Sequence, residues 1–172
     1  MSVKKLKVGI NGFGRIGRNV FKMGFDEWDI IAINDVVDNV EMLAHLLKYD
    51  SLSGRYSKQI KAENGSIYVD GKFVKFSHFR DASDIIWSEL DVDLVIDATG
   101  KYLNDSDAKV HLGGSVKRVV LTGATQDNMS IFLGISDLAK IDISQPIYSI
   151  GTCTANCLMP ILYYLDEAYG IA

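Results

Sequence analysis

The chain has 172 residues, 48% hydrophobic and 23% charged, with a formal net charge of −4. That is ordinary globular usage with length for one good core, and no stretch approaches the ~18 unbroken apolar residues of a membrane span. There is no basic stripe for nucleic acid or an anionic membrane. Met1 to Lys5 lead straight into a strand-like run without a signal-peptide region, so a cytoplasmic location is expected.

Leu6 to Ile10 is a short apolar run ending at a glycine turn, and Arg15 to Phe25 follows as a helix with Ile16, Val20 and Met23 facing inward. Ile30-Ile31-Ala32-Ile33 is a second strand, stopped by Asn34-Asp35. Glu41 to Lys48 carries Met42, Leu43, Leu46 and Leu47 at helical spacing. Across residues 60–76 the apolar alternation is broken by Asn64-Gly65 and Asp70-Gly71, both hairpin-turn dipeptides, which predicts an antiparallel excursion. A short helix near Ser83 to Glu89 precedes three further strand-like runs: Leu94 to Ile96, Val119 to Leu121 and Ile131 to Ile135. Ile147 to Ile150 adds a last strand. Thr154 to Tyr169 then forms a helix stopped by Gly170 and bent near Asn156 by Pro160.

This alternation predicts an α/β fold: a doubly wound, mostly parallel Rossmann sheet with a hairpin excursion near residues 60–76, binding ligands beyond the carboxyl ends of its strands. Gly12, Gly14, Asn34, Asp35, Thr99, Gly100, Thr122 and Cys153 all fall at or just after such ends. Gly12-Phe13-Gly14-Arg15-Ile16-Gly17 matches G-x-G-x-x-G directly between a strand and a helix. Gly12 can turn tightly, Gly14 can admit a pyrophosphate to the backbone, and Gly17 can let helix and strand pack closely. The helix start offers N–H groups to the phosphates. Asp35, eighteen residues beyond Gly17, stands where a carboxylate would accept from the adenosine ribose hydroxyls, which favours NAD over NADP.

The two cysteines, Cys153 and Cys157, lie four apart and suggest neither a disulfide framework nor a metal site. Cys153 opens the last helix between Thr152 and Thr154, where free N–H groups favour a thiolate and could stabilise an oxyanion, while the threonine hydroxyls could bind phosphate. A buried, inert cysteine is the other reading of Cys153, and it is the expected one for Cys157. His45, His78 and His111 are expected in surface or packing roles, none of them near Cys153 in sequence.

Asn11-Gly12-Phe13-Gly14-Arg15-Ile16-Gly17-Arg18, Ile33-Asn34-Asp35, Leu46-Leu47-Lys48-Tyr49-Asp50-Ser51, Asp97-Ala98-Thr99-Gly100 and Cys153-Thr154-Ala155-Asn156-Cys157-Leu158-Met159-Pro160 together resemble the phosphorylating glyceraldehyde-3-phosphate dehydrogenases. The resemblance implies that Asn11, Gly12, Phe13, Gly14, Arg15 and Ile16 form the loop that meets the NAD pyrophosphate. Asn34 and Asp35 would hold the adenosine side, with Arg80, Thr99, Gly100 and Thr122 along the rest of the cofactor. It makes Cys153 the nucleophile that forms a thiohemiacetal and, after hydride transfer, a thioester released by phosphate, with Thr152 and Thr154 at the phosphate and oxyanion positions.

This sequence departs from the family in reading Ile150-Gly151-Thr152 where Asn-Ala-Ser is usual, Ala155 where Thr is usual, and Ser53-Gly54 where His-Gly is usual. The family places the histidine that activates the cysteine, the substrate-phosphate arginine and a C-terminal helix beyond the equivalent of Ala172. The expected organisation is therefore an NAD-binding domain over residues 1–150 and the start of a catalytic domain over 151–172. The partners implied are a small phosphorylated aldehyde, inorganic phosphate, a catalytic half on the same or another chain, and further copies in a homotetramer. The glycolytic enzyme is the leading reading. An erythrose-4-phosphate dehydrogenase and a non-catalytic NAD-binding or interaction module are the alternatives.

Overall fold

The computed structural model describes residues 4–127, 130–136, 139, 141, 142 and 144–171. β1 (Lys7–Asn11) runs into the glycine turn and α1 (Arg15–Gly24), and β2 (Asp29–Asn34) returns parallel to β1. The buried side of α1 is Gly17, Phe21 and Gly24; Ile16 and Met23, expected inward, are 43% and 81% exposed. The glycines decide this. A Cβ on Gly17 would lie 1.9 Å from the Gly12 carbonyl oxygen, and one on Gly24 would lie 2.2 Å from the Trp28 ring, so the helix approaches its neighbours closely at these two positions, with Phe21 buried between them.

α2 (Val40–Lys48) is capped by Asn39, whose side chain accepts from the Met42 N–H at 2.8 Å, and it buries Val40, Leu43, Ala44 and Leu47. Met42 is half exposed, because the buried stripe starts at Val40 and steps by three and four from there. A two-stranded ladder of β3 (Tyr49–Asp50) and β4 (Gly54–Arg55) follows.

The excursion consists of β5 (Ile60–Glu63), β6 (Ser66–Val69) and β7 (Lys72–Ser77), paired antiparallel in sequence order. Asn64-Gly65 and Asp70-Gly71 all have positive φ, as the tight twist of two-residue hairpins requires. The excursion does not stand apart from the main sheet: β7 pairs parallel with β2. The expected helix near Ser83 to Glu89 is instead two short 3-10 turns, Ala82–Asp84 and Trp87–Leu90.

β8 (Leu94–Asp97) returns to the other side of β1, and β9 (Arg118–Leu121) and β10 (Ile147–Ser149) extend the sheet outward in parallel. Between β8 and β9 lie α3 (Asp105–Ala108), capped by Asn104, and a 3-10 turn at Lys109–His111. The eight strands run β10-β9-β8-β1-β2-β7-β6-β5, so the order reverses between β1 and β8. That reversal is where a doubly wound sheet opens a crevice. One hydrophobic cluster gathers α1, α2 and the hairpins on one face; a second gathers Ile85, Trp87, Val95, Tyr102 and Val119 on the other.

The run Ile131 to Ile135 is not a strand. Ser130 bridges to Ser149, and Gly134, at φ +82°, then closes a turn in which the Ser136 N–H donates to the Phe132 carbonyl. α4 (Cys153–Tyr169) runs through Pro160 and ends at Gly170. None of its described residues is buried, which corrects the expectation for Cys157: its thiol is exposed, because among the described residues no other element covers the helix.

Candidate functional site

A cleft of about 330 Å³ lies at the carboxyl ends of β1, β2 and β8. Its lining includes Asn11, Gly12, Gly14, Asn34, Asp35, Arg80 and Thr99, seven residues that sequence reasoning had selected from four separate segments. Val36, Phe79, Ala82, Ala98, Lys101 and Tyr102 complete it. These six were not foreseen, although Ala98 lies inside the motif that supplied Thr99, and Phe79 precedes Arg80.

The glycine loop is fixed from three sides. The Gly12 N–H donates to the Asn34 carbonyl at 2.7 Å, and the Phe13 ring is fully buried edge-on against Phe21 and Phe76. The Asp35 carboxylate accepts from the Phe13 N–H at 2.6 Å and from the Val37 N–H at 2.9 Å. Arg18, not singled out from sequence, donates from a guanidinium nitrogen to the Phe13 carbonyl at 2.8 Å. Gly12 sits at φ +89°, with a hypothetical Cβ only 2.9 Å from the Ala98 and Thr99 backbone. Gly14 differs. Its φ is −67°, and a Cβ there would meet nothing within 4 Å, so the space beside the start of α1 is open.

That arrangement fits a dinucleotide. Gly14 is both the N-cap of α1 and part of the cleft wall, so helix N–H groups border the space, and Arg80 and Lys101 add two cations. Asp35 is the one carboxylate among the described lining residues, and it stands at the end of β2, with lone pairs beyond the two backbone bonds.

Not every selected residue reaches the cleft. The Phe13 side chain is in the core, Arg15 and Ile16 are exposed on the first turn of α1, Gly100 is exposed just past the cleft, and Thr122 follows β9 with its N–H on the Asp97 carbonyl. Thr152, Cys153 and Thr154 follow β10, two strands from β8. The Thr152 hydroxyl caps α4 by accepting from the Ala155 N–H at 3.2 Å, and Asn156 donates to the Ile150 and Thr152 carbonyls. Cys153 therefore stands exposed at the mouth of a capped helix. The three histidines are engaged elsewhere: His45 against the Tyr49 ring, His78 against the Val37 carbonyl and Phe76, and His111 buried beside Trp87. Among the described residues, no group of three or more His, Cys, Asp or Glu could hold a metal ion, and no helix is long and apolar enough to cross a membrane.

Comparison with known proteins agrees with the geometry. The family model for the glyceraldehyde 3-phosphate dehydrogenase NAD binding domain matches residues 6–105. Glyceraldehyde-3-phosphate dehydrogenase 1 of Bacillus cereus is 40% identical over 168 residues, covering 96% of this chain and 50% of the relative. A glyceraldehyde-3-phosphate dehydrogenase of Salmonella typhimurium is 41% identical, and glyceraldehyde-3-phosphate dehydrogenase A of Escherichia coli K12 is 40% identical, with the same coverage. The chain spans about half the length of these relatives. It belongs to the glyceraldehyde-3-phosphate dehydrogenase family, as a Rossmann-type domain that binds NAD.

Proposed function

We propose that this chain is the NAD-binding part of a phosphorylating aldehyde dehydrogenase, with the cofactor held in the cleft at the ends of β1, β2 and β8. The observation that carries this reading is the open space at Gly14 beside the start of α1, facing Asp35 and the Arg80 and Lys101 cations. In this reading Gly12, Gly14 and the first turn of α1 hold the pyrophosphate, Asn34 and Asp35 the adenosine ribose, and Thr99, Gly100 and Thr122 flank the remainder. Residues 1–150 are the nucleotide unit, and residues 151–172 open a catalytic unit. Bound NAD supplies the acceptor for the hydride removed from the aldehyde carbon.

Cys153 supplies the nucleophile in the same reading. Its sulfur adds to the aldehyde carbonyl, and loss of hydride leaves a thioester that inorganic phosphate cleaves, returning the thiolate. The N–H groups at the mouth of α4 face the negative charge carried in turn by sulfur and by the carbonyl oxygen, and Thr152 and Thr154 offer hydroxyls to phosphate. The Thr152 hydroxyl already accepts one N–H, which leaves its own hydrogen free to donate. A base for the thiol is not provided by His45, His78 or His111, all engaged elsewhere. We accordingly expect turnover to need groups outside this chain, whether from the same protein or another. Their engagement is also the observation that favours the second reading, a non-catalytic NAD-binding module.

Calorimetric titration tests the cofactor site. NAD should bind in preference to NADP by roughly tenfold or more, since a lost hydrogen bond to a charged group is worth about 1.5–3 kcal/mol. Asp35→Ala should narrow the gap and lower both affinities, because it also releases the Phe13 N–H. Equal wild-type affinities overturn the assignment of Asp35. Steady NADH production from glyceraldehyde 3-phosphate by the pure 172-residue chain overturns the need for outside groups.

A further inference from the structure

Below the floor of the cleft, a buried hydrogen-bond chain crosses three strand ends. The Trp87 indole N–H donates to His111 Nδ1 at 3.2 Å, so that nitrogen accepts and Nε2 carries the hydrogen directed to Asp97 Oδ2 at 3.1 Å. The same Asp97 oxygen accepts from Asn11 Nδ2 at 2.8 Å, and its other oxygen accepts from the Thr99 N–H at 3.0 Å and the Thr99 hydroxyl at 2.7 Å. Asn11 Oδ1 accepts from Asn34 Nδ2 at 2.9 Å. Asn34 then clamps Phe79, donating to its carbonyl at 3.0 Å and accepting from its N–H at 2.9 Å.

The direction of these bonds matters. Donors converge on Asp97 from both sides, and the indole, which can only donate, leaves the imidazole one orientation. Asn11, Asn34, Phe79 and Thr99 line the cleft; His111 and Trp87 do not, and His111 is 2% exposed. Trp87 is itself anchored, its ring filling the space a Cβ on Gly9 would take.

We propose that His111 is a positioning residue for the cleft. Held by Trp87, it aligns Asp97, and Asp97 sets the Asn11, Asn34 and Thr99 side chains that a nucleotide meets. The proposal rests on the reading of this cleft as the NAD site, and it names a residue distant from the glycine loop as a determinant of affinity.

The test compares His111→Gln, His111→Leu and Trp87→Phe in the full chain by NAD titration and by NMR of the Asn11 and Asn34 side-chain amides. A glutamine amide repeats the acceptor–carbon–donor order of this imidazole and should rescue. His111→Leu should lower NAD affinity about tenfold or more, while His111→Gln stays within about threefold of wild type. Both asparagine amide resonances should shift in ligand-free His111→Leu and return in His111→Gln. A merely structural histidine would lower thermal stability and leave the affinity per folded molecule and the asparagine resonances unmoved, which overturns the proposal. If His111→Leu does not fold, Trp87→Phe decides: it keeps a ring on Gly9 and should move the same resonances, and unmoved resonances refute the chain. If wild type does not bind NAD, the cofactor reading fails by itself, and the ligand-free resonances still decide the role of His111.

Discussion

Two glycines three residues apart, Gly14 and Gly17, should respond to the same substitution in opposite ways. In Gly17→Ala the new methyl lies 1.9 Å from the Gly12 carbonyl oxygen, against about 3.3 Å for a relaxed C···O contact, so α1 or the loop must move by about 1.4 Å. The loop cannot give easily: Gly12 is held to Asn34 at 2.7 Å, and Phe13 is locked in the core. Overpacking costs about 1–3 kcal/mol, and against an obstructing backbone we take the upper end. A gain of about 1 kcal/mol from helix propensity offsets part of it. The remaining loss of about 2 kcal/mol should lower Tm by about 4–8 °C in a domain of this size. Gly14→Ala has no neighbour within 4 Å and an ordinary φ of −67°. The weaker N-cap and the stiffer unfolded chain act in opposite directions, each by roughly 0.5–1 kcal/mol, so Tm should change by less than about 2 °C. Yet the methyl projects into the space assigned to the pyrophosphate, and NAD affinity should fall about tenfold or more, equivalent to about 1.4 kcal/mol. Scanning calorimetry and isothermal titration on the two variants separate the effects. A Gly14→Ala protein that binds NAD like wild type refutes the placement of the ligand, and an unchanged Tm for Gly17→Ala refutes the packing argument.

Iodoacetamide should label Cys153 before Cys157: both thiols are exposed, but only Cys153 borders the helix mouth, and without an imidazole partner the ratio should be only severalfold. Mass-spectrometric mapping with Cys157 leading would refute that. Hydrogen bonds from the Ser53 and Leu52 N–H groups, with Lys22 nearby, hold the Asp50 carboxyl below the usual carboxylate range. Its contribution is present above the ordinary carboxylate pKa and is lost as pH falls through the lower folded value. The decline in urea midpoint on acidification should therefore be shallower in Asp50→Asn, and parallel declines would refute this. The apolar side chains of α4, including Leu158, Ile161, Leu162 and Leu165, are exposed, so the isolated chain should self-associate and bind hydrophobic dyes. A clean monomer by light scattering without dye binding contradicts this.

Much of the cleft was legible because the sequence states it locally. Gly12, Gly14, Asn34, Asp35 and Thr99 each follow an apolar run, and the topology of a parallel sheet brings such positions to one edge. On α1 Val20 packs against the core as its spacing predicts, but Ile16 and Met23 face outward, because apolar periodicity gives no weight to Gly17 and Gly24, at which the helix packs closely. Ile131 to Ile135 reads as a strand by composition, but Gly134 adopts a positive φ and turns the chain. The chain beneath the cleft had no local signal at all: His111 and Trp87 come from separate 3-10 turns, and only tertiary packing brings them to Asp97.

The sheet also governs how this domain can meet other molecules. At one margin, the four-residue β5 carries the exposed Lys61 and Glu63, charges that an incoming strand would have to desolvate. At the other, Ile131 donates its N–H to the Ser149 carbonyl and occupies the rim of β10. Backbone ladders are thus discouraged from growing past either margin, and assembly is steered toward side-chain contacts. On α4, by contrast, the backbone is paired within the helix, and what it shows to the outside is side chains, its exposed leucines and tyrosines among them.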